Sequence, residues 1–326
     1  MIPQITSADR IRRIAALEAV EEARRNNVDF LLSVGGGSVL DATKFIAVVV
    51  RYDPERDPWE VMEGGEDVRS AVPLGCVLTL PATGSEVNGN AVISRREKNQ
   101  KLAFSSPLTM PRFSILDPES TLTLSARQTA NGIVDAFVHV IEQYATYDVG
   151  TPLQDRQSEA ILQTLIEQGP RVISDPQDIE ARAHIMWCAS NALNGLISCG
   201  VVQDWATHMI GHELTVLHGL DHAQTLAIVL PSLLRHQKRQ KAGKLAQFGR
   251  RVWGLSGPDD EVIDRAIDKT EAFFRSVGTG TRLRDYGIRA EDCLIAARRL
   301  IERVGPIGEQ KDIGLQEVET ILRASA

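Results

Sequence analysis

A short apolar segment that runs straight into three consecutive glycines sets the tightest limit on what this chain can fold into. Val28-Asp-Phe-Leu-Leu-Ser-Val34 follows an Asn26-Asn27 turn and reads as a buried parallel strand. Gly35-Gly36-Gly37-Ser38 comes next, and helical spacing of apolar residues resumes from Val39 to Val50. Strand, glycine loop and helix in that order is how open α/β sheets hold a nucleotide. Backbone N–H groups without side chains approach a pyrophosphate at the positive end of the helix. The loop is not a G-x-G-x-x-G pattern, however, and a plain strand-to-helix turn accounts for it equally well. Asp41, early in the helix, suits the helix dipole, and it is also placed to orient the loop or a ribose hydroxyl.

The rest of the first 118 residues mixes helical and extended patterns. Thr6 or Ser7 is expected to cap a helix running through Leu17, Val20 and Ala23. A second strand is expected over Val72 to Leu80, a hairpin joins Ala91–Ser94 to Lys101–Phe104, and a last strand covers Phe113 to Leu116. Thr79-Leu-Pro-Ala-Thr83-Gly84-Ser85-Glu86-Val-Asn88 is a hydroxyl-rich loop at the carboxyl end of the second strand, where such sheets bind ligands. Thr83 or Ser85 would serve as well in a simple helix cap. After Asp117-Pro118 helices dominate, predicted over 125–146, 152–173, 180–196, 201–217, 223–235, 239–253, 259–277 and 290–304. The division into residues 1–118 and 119–326 is placed there.

Composition excludes several classes. A chain of 326 residues with 43% hydrophobic and 24% charged residues is that of an ordinary two-domain globular protein. A formal charge of −7 leaves no basic footprint for nucleic acid. No apolar run approaches the ~18 residues of a membrane span. Four cysteines without C-x-x-C spacing indicate neither a disulfide framework nor a zinc knuckle. The expectation is a cytoplasmic enzyme.

Seven histidines are present, and four of them fall between His208 and His222. His208 and His212 are four apart and share a helix face; Gly219 breaks the helix, so His222 is expected to be presented from a loop. Upstream, Asp135 and His139 form a second i, i+4 pair in an apolar setting, within Gly132-Ile-Val-Asp135-Ala-Phe-Val-His139-Val-Ile-Glu142. A buried carboxylate beside a buried imidazole costs several kcal/mol unless paired or bound to a cation. Helices that offer such pairs from an apolar interior build metal sites. The donor set Asp135, His139, His208 and His222 suits Fe²⁺ or Zn²⁺ rather than Mg²⁺ or Ca²⁺, in Lewis-acid catalysis rather than a structural role. His184 and His236 read as ordinary helix residues, and His218 is open to either reading.

Four motifs together resemble the iron-containing (group III) alcohol dehydrogenases, in particular their NADP-dependent branch of broad-specificity aldehyde reductases. They are GGGSVLDATK at 35–44, TLPATGSE at 79–86, NGIVDAFVHVIEQY at 131–144 and DWATHMIGHELTVLHGLDHAQTLAIVLP at 204–231. The resemblance implies a dehydroquinate synthase-like architecture, an α/β nucleotide-binding domain followed by an all-α metal-binding domain, with the active site in the cleft between them. It implies a divalent metal on Asp135, His139, His208 and His222, and His212 near the nicotinamide as a proton relay. It implies a pyrophosphate held by Gly36, Gly37 and Ser38, a cofactor cleft lined by Thr79, Thr83, Ser85 and Asn88, and Lys101 reaching the nicotinamide ribose. Asp41 is counted with the cofactor residues. The implied reaction is hydride transfer between NADP(H), in preference to NAD(H), and small aldehydes or primary alcohols, in a homodimer. Family members also carry a leading βαβ-type segment of at least ~30 residues, so the expectation here is a truncated parallel sheet without its first strand.

Two other classes are weighed against this. One is a metal-dependent hydrolase or lyase on the same Asp/His set, against which the two cofactor-type loops argue. The other is a catalytically impaired relative that binds metal without redox chemistry.

Overall fold

The computed structural model describes residues 13–63, 68–95 and 100–326. The cap expected at Thr6 or Ser7 and residues 96–99, between the two expected arms of the hairpin, lie outside them. The chain separates into two compact units, Met1–Thr123 and Leu124–Ala326. The turn Pro118–Thr121 stays with the first, since Ser120 Oγ donates to the Leu78 carbonyl at 2.7 Å.

The first unit runs α1 (Arg13–Arg25), β1 (Leu31–Gly36), α2 (Gly37–Val49), β2 (Leu74–Leu80), β3 (Asn90–Arg95), β4 (Gln100–Ser105) and β5 (Ser114–Ile115). The three-stranded sheet has the order β1-β2-β5 and is parallel throughout. β1 starts and ends later than its apolar run suggests. Its ladder with β2 opens at Leu31 and continues into the glycines, with a register shift before Gly36 pairs with Leu80. The sheet packs through Leu74 and Cys76 against Leu40 and Ala47 of α2. Other faces of α2 bury Phe45, Ile46 and Val49 with Val20, Trp59, Ile93 and Phe104. The carbonyls left over at its C-terminal end are taken up by Arg24, whose guanidinium donates to Val49, Val50 and Tyr52.

The second unit holds α3 (Ala126–Tyr144), α4 (Pro152–Ser174), α5 (Ile179–Ala192), α6 (Ala206–His218), α7 (His222–His236), α8 (Ala242–Arg251), α9 (Asp259–Ser276), α10 (Ala290–Val304) and α11 (Leu315–Ala324). α3 is fixed at its start by a capping box between Ser125 and Gln128 and is buried along most of its length. Phe137, midway, touches the rings of Phe248, Phe273 and Phe274. Three differences from the sequence reading stand out. α6 begins at Ala206 rather than 201, because Trp205 takes a left-handed conformation (φ 64°) before the first turn. His222 is the first residue of α7, not part of a loop. α11 was not anticipated; its ten residues bury only Val318, Ile321 and Leu322, a stripe too short to stand out.

Candidate functional site

In the second unit one carboxylate oxygen gathers three imidazoles. Asp135 Oδ1 lies 3.6 Å from His139 Nε2, 3.8 Å from His208 Nε2 and 3.7 Å from His222 Nε2. The helices explain the meeting. α3 turns Asp135 and His139 to one face, four residues apart, and α6 supplies His208. The Gly219–Asp221 turn, with Gly219 left-handed and Asp221 in a capping box with Gln224, folds α7 back so that its first residue joins them. α6 and α7 pack closely because Gly211 has no side chain: a Cβ there would fall 2.8 Å from Thr225 Oγ1. The His139 and His208 rings stack with centroids 4.7 Å apart.

Asp135, His139 and His208 are buried. Burial alone would raise the Asp135 carboxyl, yet the imidazoles of His139, His222 and His208 outweigh it and hold it well below the usual carboxylate range. Burial would lower His208, but Glu142 and Asp135 push it up to about 9. Asp135 Oδ1 and His208 Nε2 are buried without a hydrogen-bond partner, a costly arrangement for two polar atoms. The separations of the three Nε2 atoms from Asp135 Oδ1, 3.6–3.8 Å, are close to the ~3.4 Å edge of a tetrahedron with metal–ligand bonds of ~2.1 Å. Asp135, His139 and His208 bring ligand atoms all within 4.8 Å of one another and fit a divalent cation, with His222 next to Asp135 at the margin of that group; nitrogen and oxygen donors suit iron or zinc.

His212 is one turn past His208 on α6, half-buried, with its ring 5.0 Å from that of His222. Glu142 belongs to the same cluster and was not singled out from the sequence. It is buried, hydrogen-bonds His208 Nδ1 through Oε2, and accepts the Thr207 backbone N–H through Oε1 at 2.6 Å. Its signal was present: 135, 139 and 142 continue a single helix face.

In the first unit the glycine loop and the Thr79–Asn88 loop lie side by side at the carboxyl ends of β1 and β2. A Cβ on Gly37 would sit 2.5 Å from Thr83 Oγ1, so the two loops touch. No side chain caps the start of α2, and Ser38 is exposed there. Its leading N–H groups remain for a ligand. Thr79 and Thr83 are half-buried beside them, and Lys101 is half-buried on β4. Asp41, Ser85 and Asn88 turn inward instead. Lys44, fully buried, donates to Ser85 O, Ser85 Oγ, Asn88 O and Asn90 O at 2.7–2.8 Å. Asp41 accepts from Ser85 Oγ at 2.7 Å and from the Val92 N–H at 2.9 Å. Burial raises Asp41, against Lys44 and these hydrogen bonds.

Residues 12–118 match the iron-containing alcohol dehydrogenase family, and residues 129–326 match the C-terminal part of the Fe-containing alcohol dehydrogenase family. The chain belongs to the iron-containing alcohol dehydrogenases. It is 52% identical over 312 residues to the NADPH-dependent aldehyde reductase YqhD of Escherichia coli K12, covering 95% of this chain and 81% of that protein. A probable NADH-dependent butanol dehydrogenase of Bacillus subtilis is 40% identical, over 94% of this chain and 80% of its own length. Among solved structures, that of E. coli K-12 YqhD superposes with a TM-score of 0.94 at 50% identity, covering 97% of this chain and 82% of the other. The NADH-dependent butanol dehydrogenase A of Thermotoga maritima gives 0.92 at 33% identity, covering 97% and 81%. As an iron-containing alcohol dehydrogenase, the chain has its glycine loop in the first family match and the Asp135 cluster in the second.

Proposed function

We propose that this protein is a metal-dependent aldehyde reductase and alcohol dehydrogenase acting on small aldehydes and primary alcohols, with NADP(H) preferred to NAD(H). The observation that carries the reading is the convergence of three imidazole Nε2 atoms on Asp135 Oδ1. Asp135, His139, His208 and His222 would hold one Fe²⁺ or Zn²⁺. The cation would polarise a carbonyl or alkoxide oxygen, and the nicotinamide would give or take a hydride.

The chain's own residues supply the rest. The imidazoles around Asp135 hold its buried carboxyl below the usual carboxylate range, so that it is available as an anionic ligand. His212, half-buried with its ring 5.0 Å from that of His222, would pass a proton to or from the substrate oxygen. Gly36, Gly37 and Ser38 would receive the pyrophosphate at the open start of α2. Thr79 and Thr83 would line the cofactor, and Lys101 would reach its ribose. Asp41, Ser85 and Asn88 support the same loop from beneath through Lys44. The NADP(H) preference rests on the relatives' names: the 52% identical protein is an NADPH-dependent reductase.

Two further elements belong to this reading. The homodimer is carried over from the resemblance alone; Leu32 and Val34, 56% and 57% exposed on β1, an edge of the sheet among the described residues, leave an apolar surface there that does not by itself choose a second copy. The unpaired cysteines favour a reducing, cytoplasmic setting. No helix among the described residues is long and apolar enough to cross a membrane.

The test is NADPH and NADH oxidation by protein loaded with Fe²⁺ or Zn²⁺, with butanal as substrate. Turnover faster with NADPH is expected; no turnover with either cofactor and either metal would overturn the assignment.

A further inference from the structure

We propose that Glu142 is a positioning residue that fixes His208 in the tautomer protonated on Nδ1, so that its Nε2 lone pair faces Asp135. The inference rests on the reading of Asp135, His139, His208 and His222 as cation ligands.

A carboxylate only accepts hydrogen bonds. Glu142 Oε2 meets His208 Nδ1, so the bond requires the proton on Nδ1 and leaves Nε2 as the donor atom for a cation. Nε2 is the atom that is buried without a hydrogen-bond partner, 3.8 Å from Asp135 Oδ1. Carboxylates behind metal-binding imidazoles set tautomer and ring orientation in this way. Glu142 is itself held firmly. Its Oε1 accepts the Thr207 N–H at 2.6 Å, and its carbonyl accepts the Asp204 N–H at 2.9 Å. Trp205, the residue before α6, offers no side-chain cap. The carboxylate from α3 therefore stands in for that cap and reaches the imidazole one residue further on.

The two tasks can be separated by one isosteric change. In Glu142→Gln the amide oxygen still accepts the Thr207 N–H, because the alternative orientation would set two donors against each other. The amide NH₂ then faces His208 Nδ1, which must accept and move its proton to Nε2. A helix cap alone predicts no change in cation binding. The tautomer role predicts Co²⁺ affinity weaker by about 10–100-fold, measured by chelator competition. It also predicts a shift of His208 from Nδ1–H to Nε2–H in ¹⁵N NMR of the metal-free proteins, recorded above the imidazole's titration. Nε2–H in the parent protein, or Co²⁺ affinity of Glu142→Gln within about threefold of the parent, overturns the proposal. If the parent binds no Co²⁺, the cation reading fails, and the parent tautomer, which needs neither metal nor variant, still decides the role of Glu142.

Discussion

Lys44 and Ser85, forty-one positions apart, meet in the interior of the first unit: the Lys44 ammonium donates to both the carbonyl and the hydroxyl of Ser85 at 2.7 Å. The same nitrogen bonds the Asn88 and Asn90 carbonyls, so one side chain from α2 gathers the loop beside the glycines. Lys44→Met would keep the apolar stem, leave these carbonyls without a donor, and strip Asp41 of its counter-charge. Leaving a buried acceptor without its donor costs about 1–3 kcal/mol. The first unit is expected to lose at least about that much stability in urea unfolding, and NADPH titrated by fluorescence is expected to bind more weakly. Unchanged values for both would show that the loop is held by other contacts.

The same lysine gives a pH dependence. Burial lowers Lys44 from 10.5 to about 8, with Asp41 and Glu86 opposing the shift. Below about 8 the side chain is protonated whether folded or unfolded, and the full cost of enclosing the ammonium is present. Between about 8 and 10.5 the unfolded chain binds the proton more tightly, so this group's contribution to stability rises with pH, by at most about 1.4 kcal/mol per unit. Urea midpoints of the parent and Lys44→Met, compared at neutral pH and again inside that window, are expected to diverge in the parent's favour. Parallel curves would place the titration elsewhere.

These residues also mark how far the sequence could be read. The strand–glycine–helix junction was legible because an apolar run that ends in three glycines and resumes with helical spacing marks that turn, whatever the turn holds. Asp135 and His139 were legible because polar pairs are rare on an apolar helix face. Lys44 was not, since a lysine in a helical stretch reads by default as solvated, and only the fold reveals that α2 is buried on the face that carries it. Glu142 shares the helix face of Asp135 and His139, but its partner, the His208 Nδ1 on α6, is set by tertiary packing alone. His222 on a helix rather than a loop, and the late start of α6, depend on single turns at Gly219 and Trp205 whose geometry is tertiary.

Gly211 tests the packing that brings α6 and α7 together. A Cβ there would meet Thr225 Oγ1 at 2.8 Å and Leu226 Cδ2 at 3.2 Å. Gly211→Val adds further bulk and is expected to destabilise the second unit by about 1–3 kcal/mol. It would also push His222 away from Asp135, so cation affinity should fall even where the variant stays folded. Thermal melting and Zn²⁺ titration of the same sample separate the two effects. Normal Zn²⁺ binding would mean that α7 holds His222 in place without this close approach.

The last prediction concerns the cation itself. Without one, Asp135 Oδ1 and His208 Nε2 are left buried and unbonded. A ligand that binds only the folded state adds about 2.7 kcal/mol at a hundredfold excess over its dissociation constant. Exhaustive chelation should therefore lower the unfolding midpoint of the second unit, and Zn²⁺ should restore it. His208→Ala removes a donor from the centre of the set and should abolish stoichiometric metal by elemental analysis. Turnover should fall with it by about 10³-fold, the loss of ~4 kcal/mol of charge stabilisation. The chelator should then have little further effect on the variant's midpoint, because both treatments delete the same interaction. Full metal content with full activity in His208→Ala would remove that histidine from the site.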